Sequence, residues 1–555
     1  MNRSKLFSGD LPEITNLILL NLRNDLKSLH SCILVNRLFC RIAIPLLWKD
    51  PFSKNISSNK SILYVFDIYF FYLNDDDKNL LKENGIDRIY SQSLKIPLFN
   101  YPSYIKVLNS DQMDLHLMVW IDNFTSFYMG DKYSDIQIFE YIRGCEIKYP
   151  STEVEFKVKT VLKIFTLREI LFNRTKSNPD LMQKLNLISF LLFKTFIKYD
   201  ASLHKLHLNI KFSYPNQHMS EFYELILNNQ NFFSKLKYFT LGLEKNNIVT
   251  QEYLEQSILF QHFLSHLPKI CTSIKYLELN IPYDIYIQLL KEIKNLFKSQ
   301  KDLLKIQSVY GGKKNNLTEY LPFCSNTLTT INFYTIFFSN EISFNGLERL
   351  THIKCLEFQH CVEEFFESII QNCERIKFFH LTAIEHSHIP QLFRLITLLN
   401  DHLKYLTLED FTKEELRFGN FYTRYSHESN VSSIILNEMG QLLPNNLSYL
   451  DLNLEFEPKE LETFFENCKH VNFRRLSFRN YNKNSINTTL EVIKEFVKKK
   501  GLECLAYEID VCDLYLSSLP CDCLEVLTQE IKQFVTMKDY KDWVIKPSLL
   551  DGTLN

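Results

Sequence analysis

From about residue 200 one short pattern recurs along the chain: apolar-x-x-apolar-x-apolar, bounded by turn residues. Clear copies are LHKLHL (203–208), LKYFTL (236–241), IKYLEL (274–279), LTTINF (328–333) and IKCLEF (353–358). They continue as IKFFHL (376–381), LKYLTL (403–408), LSYLDL (447–452), FRRLSF (473–478) and LECLAY (502–507), with a degenerate copy at Leu303-x-x-Ile306. Start-to-start separations, by subtraction, are 33, 38, 29, 25, 25, 23, 27, 44, 26 and 29 residues. The apolar stripe is too short for a helix and alternates as a strand does. Between copies the period turns helical: Leu289, Leu290, Ile293, Leu296 and Phe297 share one face, and Phe365, Phe366, Ile369 and Ile370 share another. A unit of this size cannot bury its own apolar face, so the copies must stack on one another.

Most separations lie within or near the 20–29 residues of leucine-rich repeats, which the pattern resembles. The expected fold is α/β: a leucine-rich-repeat solenoid over 201–530, a horseshoe with parallel strands inside and helices outside, then a C-terminal cap and tail over 531–555. Strand residues beside the last two apolar positions point away from the helices. One such column reads Lys205, Tyr238, Tyr276, Thr330, Cys355, Phe378, Tyr405, Tyr449, Arg475 and Cys504. The next reads His207, Thr240, Glu278, Asn332, Glu357, His380, Thr407, Asp451, Ser477 and Ala506. Aromatic residues flanked by mixed polar groups suit a protein-binding surface, so Tyr238, Tyr276, Phe378, Tyr405, Tyr449 and Arg475 are the expected target-binding residues. Cys271, Cys324, Cys373 and Cys468 lie three to five residues before a copy, where a small buried residue packs well. The insertion 409–432, rich in charge and aromatics, is a further candidate for binding.

Residues 11–48 read LPEITNLILLNLRNDLKSLHSCILVNRLFCRIAIPLLW. Pro12 suits a helix first turn, and Ile14, Leu17, Ile18 and Leu22 recur at helical spacing. Asn24 or Asp25 caps a second helix carrying Leu26, Leu29 and Ile33, and Asn36 caps a third carrying Phe39, Ile42 and Leu46, which Pro45 bends or ends. Three short helices cannot bury enough surface alone, so apolar residues of the first helix should face a partner. The polar run 53–61 (SKNISSNKS) marks a boundary, with a mainly helical connecting region over 51–200 that includes helices at Ile62 to Leu73, Asn79 to Glu83 and Val161 to Leu171, and room for degenerate early repeats.

Leu11-Pro12, Ile14, Ile18, Leu22, Asp25-Leu26, Val35-Asn36-Arg37 and Leu47-Trp48 together resemble an F-box, and the wording from Pro45 to Pro51 resembles the expanded fungal F-box families. Phe39 departs from the pattern, which commonly has Trp there. The resemblance implies that residues 1–50 dock onto a Skp-family adaptor, and through it a cullin, with Leu11, Pro12, Ile14, Ile18 and Leu22 buried against the adaptor over a supporting layer of Leu26, Leu29, Val35 and Phe39. The implied role is substrate recognition in an SCF-type ubiquitin ligase, the repeats holding an unknown target protein; the alternative is a repeat scaffold with no ligase attached.

Other classes fit poorly. Glycine is only 12 of 555 residues, about 2% against about 7% in ordinary proteins, and phosphate-cradling loops depend on it. The Gly311-Gly312 pair lacks the phosphate-loop spacing. Thirteen cysteines include no C-x-x-C; Cys512, Cys521 and Cys523 lack a paired second half, and His386-x-His388 stands in a loop without a supporting ligand. Asn74-Asp75-Asp76-Asp77 reads as a cap, not a calcium loop. We therefore expect no enzyme activity, cofactor or metal. A net charge of −2 gives no global reason to bind nucleic acid or membrane. No signal-peptide core follows Met1, Ile62 to Leu73 is interrupted by Asp67, and the odd cysteine count suits a reducing cytoplasmic or nuclear compartment.

Overall fold

The structure is a computed structural model that describes residues 12–23, 25–53, 60–86, 96–128, 179–211, 218–244, 251–281, 288–308, 321–324, 327–333, 349–355, 362–382, 384–409, 431–480, 486–500, 502–509, 531–532 and 535–538. Leu11, the helix expected over 161–171, most of the 409–432 insertion and Cys512, Cys521 and Cys523 lie outside the described residues. The chain forms two compact units, Met1–Ile274 and Lys275–Asn555.

The first unit opens with three helices: α1 (Pro12–Asn21), α2 (Leu26–Ile33) and α3 (Arg37–Leu47). Asp25 caps α2, its carboxylate accepting from the Ser28 N–H at 3.1 Å and the Ser28 hydroxyl at 2.6 Å; Asn36 caps α3, accepting from the Phe39 N–H at 2.9 Å. Each cap satisfies a helix N–H that has no partner within its own helix. Pro45 does not end α3, which runs to Leu47 and closes with the Trp48 N–H on the Ile44 carbonyl at 3.0 Å. Leu19, Leu29, Phe39, Ala43 and Leu47 form the buried centre of this bundle.

Helices α4 (Lys60–Phe71) and α5 (Asp75–Glu83) follow, then β1 (Val107–Asn109), α6 (Ser110–Tyr128), α7 (Pro179–Lys198), β2 (Lys205–Lys211), α8 (Met219–Asn228), β3 (Tyr238–Glu244) and α9 (Gln251–Ile270). Asn74 caps α5, accepting from the Asp77 N–H at 2.7 Å, and Asp77 meets Lys194 at 2.6 Å. The acidic run is therefore a helix start, where negative charge is favoured. Asp67, which interrupts the apolar run of α4, accepts from the indole N–H of Trp120 at 3.2 Å inside the core. Around it pack Trp48 against Tyr69 (5.5 Å) and Tyr101 (4.3 Å), Phe52 against Phe66 (5.6 Å), and Phe70 against Trp120 (5.0 Å).

The second unit alternates strands and helices: β4 (Tyr276–Asn280), α10 (Leu290–Ser299), β5 (Lys305–Ser308), β6 (Thr330–Phe333), β7 (His352–Cys355), α11 (Val362–Asn372), β8 (Phe378–Thr382) and α12 (Ile389–Leu398). It continues with β9 (Tyr405–Glu409), α13 (Val431–Glu438), β10 (Tyr449–Leu454), α14 (Pro458–Asn467), β11 (Arg475–Asn480), α15 (Ile486–Lys499), β12 (Cys504–Ile509) and β13 (Thr536–Lys538). Within each unit every strand pairs in parallel with its sequence neighbour: β1 to β2 to β3 in the first, β4 through β13 in the second. The fold is thus α/β and built on parallel strands, as the repeats require.

One backbone motif sets this register. Before most of the strands, from β1 and β2 and from β4 to β11, the preceding carbonyl accepts two consecutive N–H groups from the next copy. The Lys106 carbonyl takes those of His204 and Lys205, the Thr351 carbonyl those of Lys377 and Phe378, and the Ser448 carbonyl those of Arg474 and Arg475, at 2.7–3.1 Å. The ladder starts before the first strand: the Lys49 carbonyl, next to Trp48, accepts from Lys106 and Val107, both at 3.0 Å. The helical bundle is hydrogen-bonded to the strands that follow it.

Register corrects one sequence reading and completes another. His352 lies opposite Thr330 and Phe378, so the copy assigned to 353–358 is Leu350-x-x-Ile353-x-Cys355, three residues earlier. His352 and Lys354 stand in the columns where Cys355 and Glu357 were expected. Val107 lies opposite Lys205, so a copy at Ile105-x-x-Leu108 lies in the connecting region, where the sequence left room for early repeats, and Thr536–Lys538 adds a strand inside the expected C-terminal cap.

The apolar positions face the helices: Phe379 packs on Phe366 of α11 at 6.3 Å and Phe478 on Phe465 of α14 at 5.8 Å. Cys271, Cys324, Cys373 and Cys468 are buried, and the thiols of Cys271, Cys324 and Cys468 reach the Phe233, Phe297 and Phe465 carbonyls at 3.5, 3.8 and 3.7 Å. Burial pushes all four thiols up to about 12, where almost no reactive thiolate exists at neutral pH. Iodoacetamide at about pH 8 is expected to leave these four unmodified in the folded protein while labelling the partly exposed Cys32, Cys40 and Cys504. Peptide mass spectrometry reads the outcome, and early labelling of the four would contradict their burial.

Candidate protein-interaction site

Helix α1 carries two apolar faces. Thr15 and Leu19 turn inward and are fully buried, with Leu22 packed beside them. Ile14, Leu17 and Ile18, at i, i+3 and i+4, form one exposed stripe; they are 44, 62 and 42% exposed. Pro12 is exposed at its start. A helix of a folded bundle ordinarily keeps one apolar stripe and turns charge to water; this one keeps a second stripe in water, the signature of an interaction face.

The residues expected to bind an adaptor therefore divide by position. Pro12, Ile14 and Ile18 are presented to solvent. Leu22 and Leu26 are half-buried, while Leu29 and Phe39 sit in the bundle centre and hold α1 from beneath. Val35, expected in that supporting layer, is instead 53% exposed and lies next to Leu34 at 87%. This turn between α2 and α3 is short and leaves its apolar side chains outside. Leu17 and Leu34 were not among the expected residues; the helical spacing already pointed to Leu17, whereas nothing local distinguished Leu34 from a core residue.

In the second unit the strand face opposite the helices carries a row of four rings, one on each strand from β7 to β10. His352 and Phe378 lie 6.0 Å apart, Phe378 and Tyr405 6.4 Å, and Tyr405 and Tyr449 6.3 Å. The register slip had hidden His352 from this row. Tyr405 is half-buried and Arg475 exposed, but Phe378 and Tyr449 are only 3 and 2% exposed. The expectation that all six residues offer open surface fails for these two. Burial, with Asp451 alongside, holds the Tyr449 hydroxyl protonated, well above the usual tyrosine range. Beside the row, His380 and Glu409 form a buried pair at 2.9 Å.

Nearer β4 the same face is more open and already organised. The Tyr276 hydroxyl lies 2.9 Å from both the Glu278 carboxylate and the Gln307 side-chain oxygen. The Gln307 amide donates to Glu278 at 2.9 Å, and Lys305 sits over the Tyr276 ring at 5.2 Å. Such a network fixes side chains before a partner arrives and lowers the ordering cost of binding. Tyr238, in the first unit, is half-buried at the equivalent position.

No group of three or more His, Cys, Asp or Glu side chains suits a metal ion among the described residues. His388 is a turn cap: its Nδ1 accepts from the Glu385 N–H at 3.1 Å, and the Glu385 side chain bonds back to the His388 backbone. No described helix is long and apolar enough to cross a membrane. No protein-family model matches the chain, and no curated protein matches it either.

Burial brings the His388 imidazole down to about 4. The folded state keeps it neutral while the unfolded chain protonates near 6.5, so its contribution to stability is complete at neutral pH and is lost as pH falls from about 6.5 towards about 4. Urea midpoints at about pH 7 and about pH 5 should therefore differ less in His388→Gln than in the wild type. An unchanged difference would show that His388 does not titrate this way.

Proposed function

We propose that the three-helix bundle is an F-box that docks onto a Skp-family adaptor, and that the strand–helix units are leucine-rich repeats arranged as a horseshoe that holds a target protein. The chain is then the substrate-recognition subunit of an SCF-type cullin ubiquitin ligase working in the cytoplasm or nucleus. Catalysis belongs to other subunits. This chain contributes proximity, raising the effective concentration of target lysines near a charged ubiquitin carrier.

The observation that carries the reading is the second apolar face of α1. Ile14, Leu17 and Ile18 stay in water although Leu19, Leu29 and Phe39 beneath them complete a core. Burying three such side chains against a partner helix contributes about 1.5–3 kcal/mol each before association costs. The Lys49 rung supports the same reading, because a receptor that works by proximity needs its docking module fixed to the strands beside it.

Leu17→Asp with Ile18→Asp in the full chain is expected to abolish co-purification of the adaptor and cullin while leaving the thermal unfolding profile intact. Leu29→Ala serves as the contrast, losing about 2–5 kcal/mol of stability because it opens a cavity in the bundle. Adaptor retained by the double variant would overturn the assignment. A wild-type chain that folds but captures neither adaptor nor cullin would leave the repeats as an interaction scaffold without a ligase.

A further inference from the structure

The carbonyls that set the register belong to residues whose side chains crowd one rim of the sheet. In the first unit the successive rungs are Lys49, Lys106, His204 and Lys237: the Lys49 carbonyl takes the Lys106 N–H, the Lys106 carbonyl that of His204, and the His204 carbonyl that of Lys237, at 2.8–3.0 Å. Lys205 and Lys235 flank them in the chain. Lys49, Lys205, Lys235 and Lys237 are exposed, and Lys106 and His204 are half-buried. Adjacent strands are about 4.8 Å apart, so four basic rungs fall within about 15 Å.

This crowding is unfavourable in the free protein. Desolvation, then Lys106, Lys237, Lys49 and Lys235, pull the His204 imidazole below its ordinary value; desolvation, then Lys235, do the same to the Lys106 ammonium. Lys106 donates to the Ser103 carbonyl at 3.5 Å. None of the five lysines forms an ion pair among the described residues. Asp50 lies in the field of two of them: its carboxyl is raised to about 6 by burial against the pull of Lys205 and Lys49. The equivalent positions of the second unit are Lys275, Leu304, Thr329, Thr351, Lys377, Lys404, Ser448 and Arg474. Half are uncharged, and Arg474 already faces Glu503 at 3.8 Å. The basic rim is therefore a property of the first three strands, not of the repeat.

We propose that the rim of Lys49, Lys106, His204 and Lys237, with Lys205 and Lys235, is a docking site for an acidic polypeptide segment, a run of Asp and Glu side chains on a partner protein. An extended chain places every second side chain about 7 Å apart on one side, so two or three carboxylates span the rungs. The rim holds lysine point charges and no guanidinium fork, which disfavours a dedicated phosphate pocket. It is also short and has no aromatic rings on its rungs, unlike a single-stranded nucleic-acid groove. In a chain of net charge −2, five lysines without an ion-pair partner among the described residues form a local field that steers an acidic partner to this edge.

The test uses the full chain and a fluorescein-labelled Glu/Asp peptide, with a Gln/Asn peptide and a single-stranded oligonucleotide of equal length as comparisons, read by anisotropy. The acidic peptide is expected to bind and to weaken about tenfold or more between about 50 and about 300 mM salt. Lys49→Gln/Lys235→Gln/Lys237→Gln, all at exposed positions whose backbone rungs stay intact, should weaken it about tenfold, and Asp50→Asn should tighten it. Equal binding of the neutral peptide, tighter binding of the oligonucleotide, or indifference to the triple substitution would overturn the proposal. Adaptor docking is separable, because Leu17→Asp/Ile18→Asp leaves the rim untouched.

Discussion

The shared carbonyl that precedes most of the strands is the constraint on which the rest of the structure depends. One oxygen accepting two successive N–H groups fixes both the distance and the register of the next strand. Once Lys404 holds Ser448 and Tyr449 in this way, Leu450 and Leu452 must face the helices and Tyr449 and Asp451 the opposite side. The ring row and the basic rim are two products of that rule, seen on the face and on the edge. Parallel pairing also explains the helices, since each return to the start of the next strand needs a crossover.

Insertions show how tolerant the rule is. The longest separation between copies of the second unit, 44 residues from Leu403 to Leu447, leaves Tyr405 opposite Tyr449. A long connection is compatible with an unchanged register because loop closure grows more costly only slowly with length. Buried polar groups near the strand ends secure the copies locally. Asn480 at the end of β11 donates to the Phe456 carbonyl at 3.0 Å and accepts the Phe456 N–H at 3.2 Å, tying one copy's loop to the next copy's strand.

Much of this was legible in the sequence because the repeat is periodic and its core positions are apolar. Leu277, Ile331, Leu406 and Leu476 are buried where the pattern places them. The slip at 353 had a definite cause. Leu350, Ile353 and Cys355 fit the pattern, but so do Ile353, Leu356 and Phe358, and only pairing with Thr330 and Phe378 decides between them. The copy at Ile105 escaped because its third apolar position is Ser110 and the next copy starts 98 residues later. In the bundle, the periodicity of α1 marked Ile14 and Ile18 as apolar, but which stripe turns inward depends on Leu29 and Phe39. The burial of Phe378 and Tyr449 and the convergence of Lys49, Lys106, His204 and Lys237 are long-range facts that no local window contains.

The Lys49 rung makes the first three helices and the first strands one lever. No slack separates Trp48, clamped between Tyr69 and Tyr101, from the carbonyl that carries Lys106 and Val107. The Lys49 hydrogen bonds and the rings packed on Trp48 are thus one direct connection between the bundle and the first strand. Whatever grips the bundle therefore takes hold of a module that is hydrogen-bonded to the strands beside it.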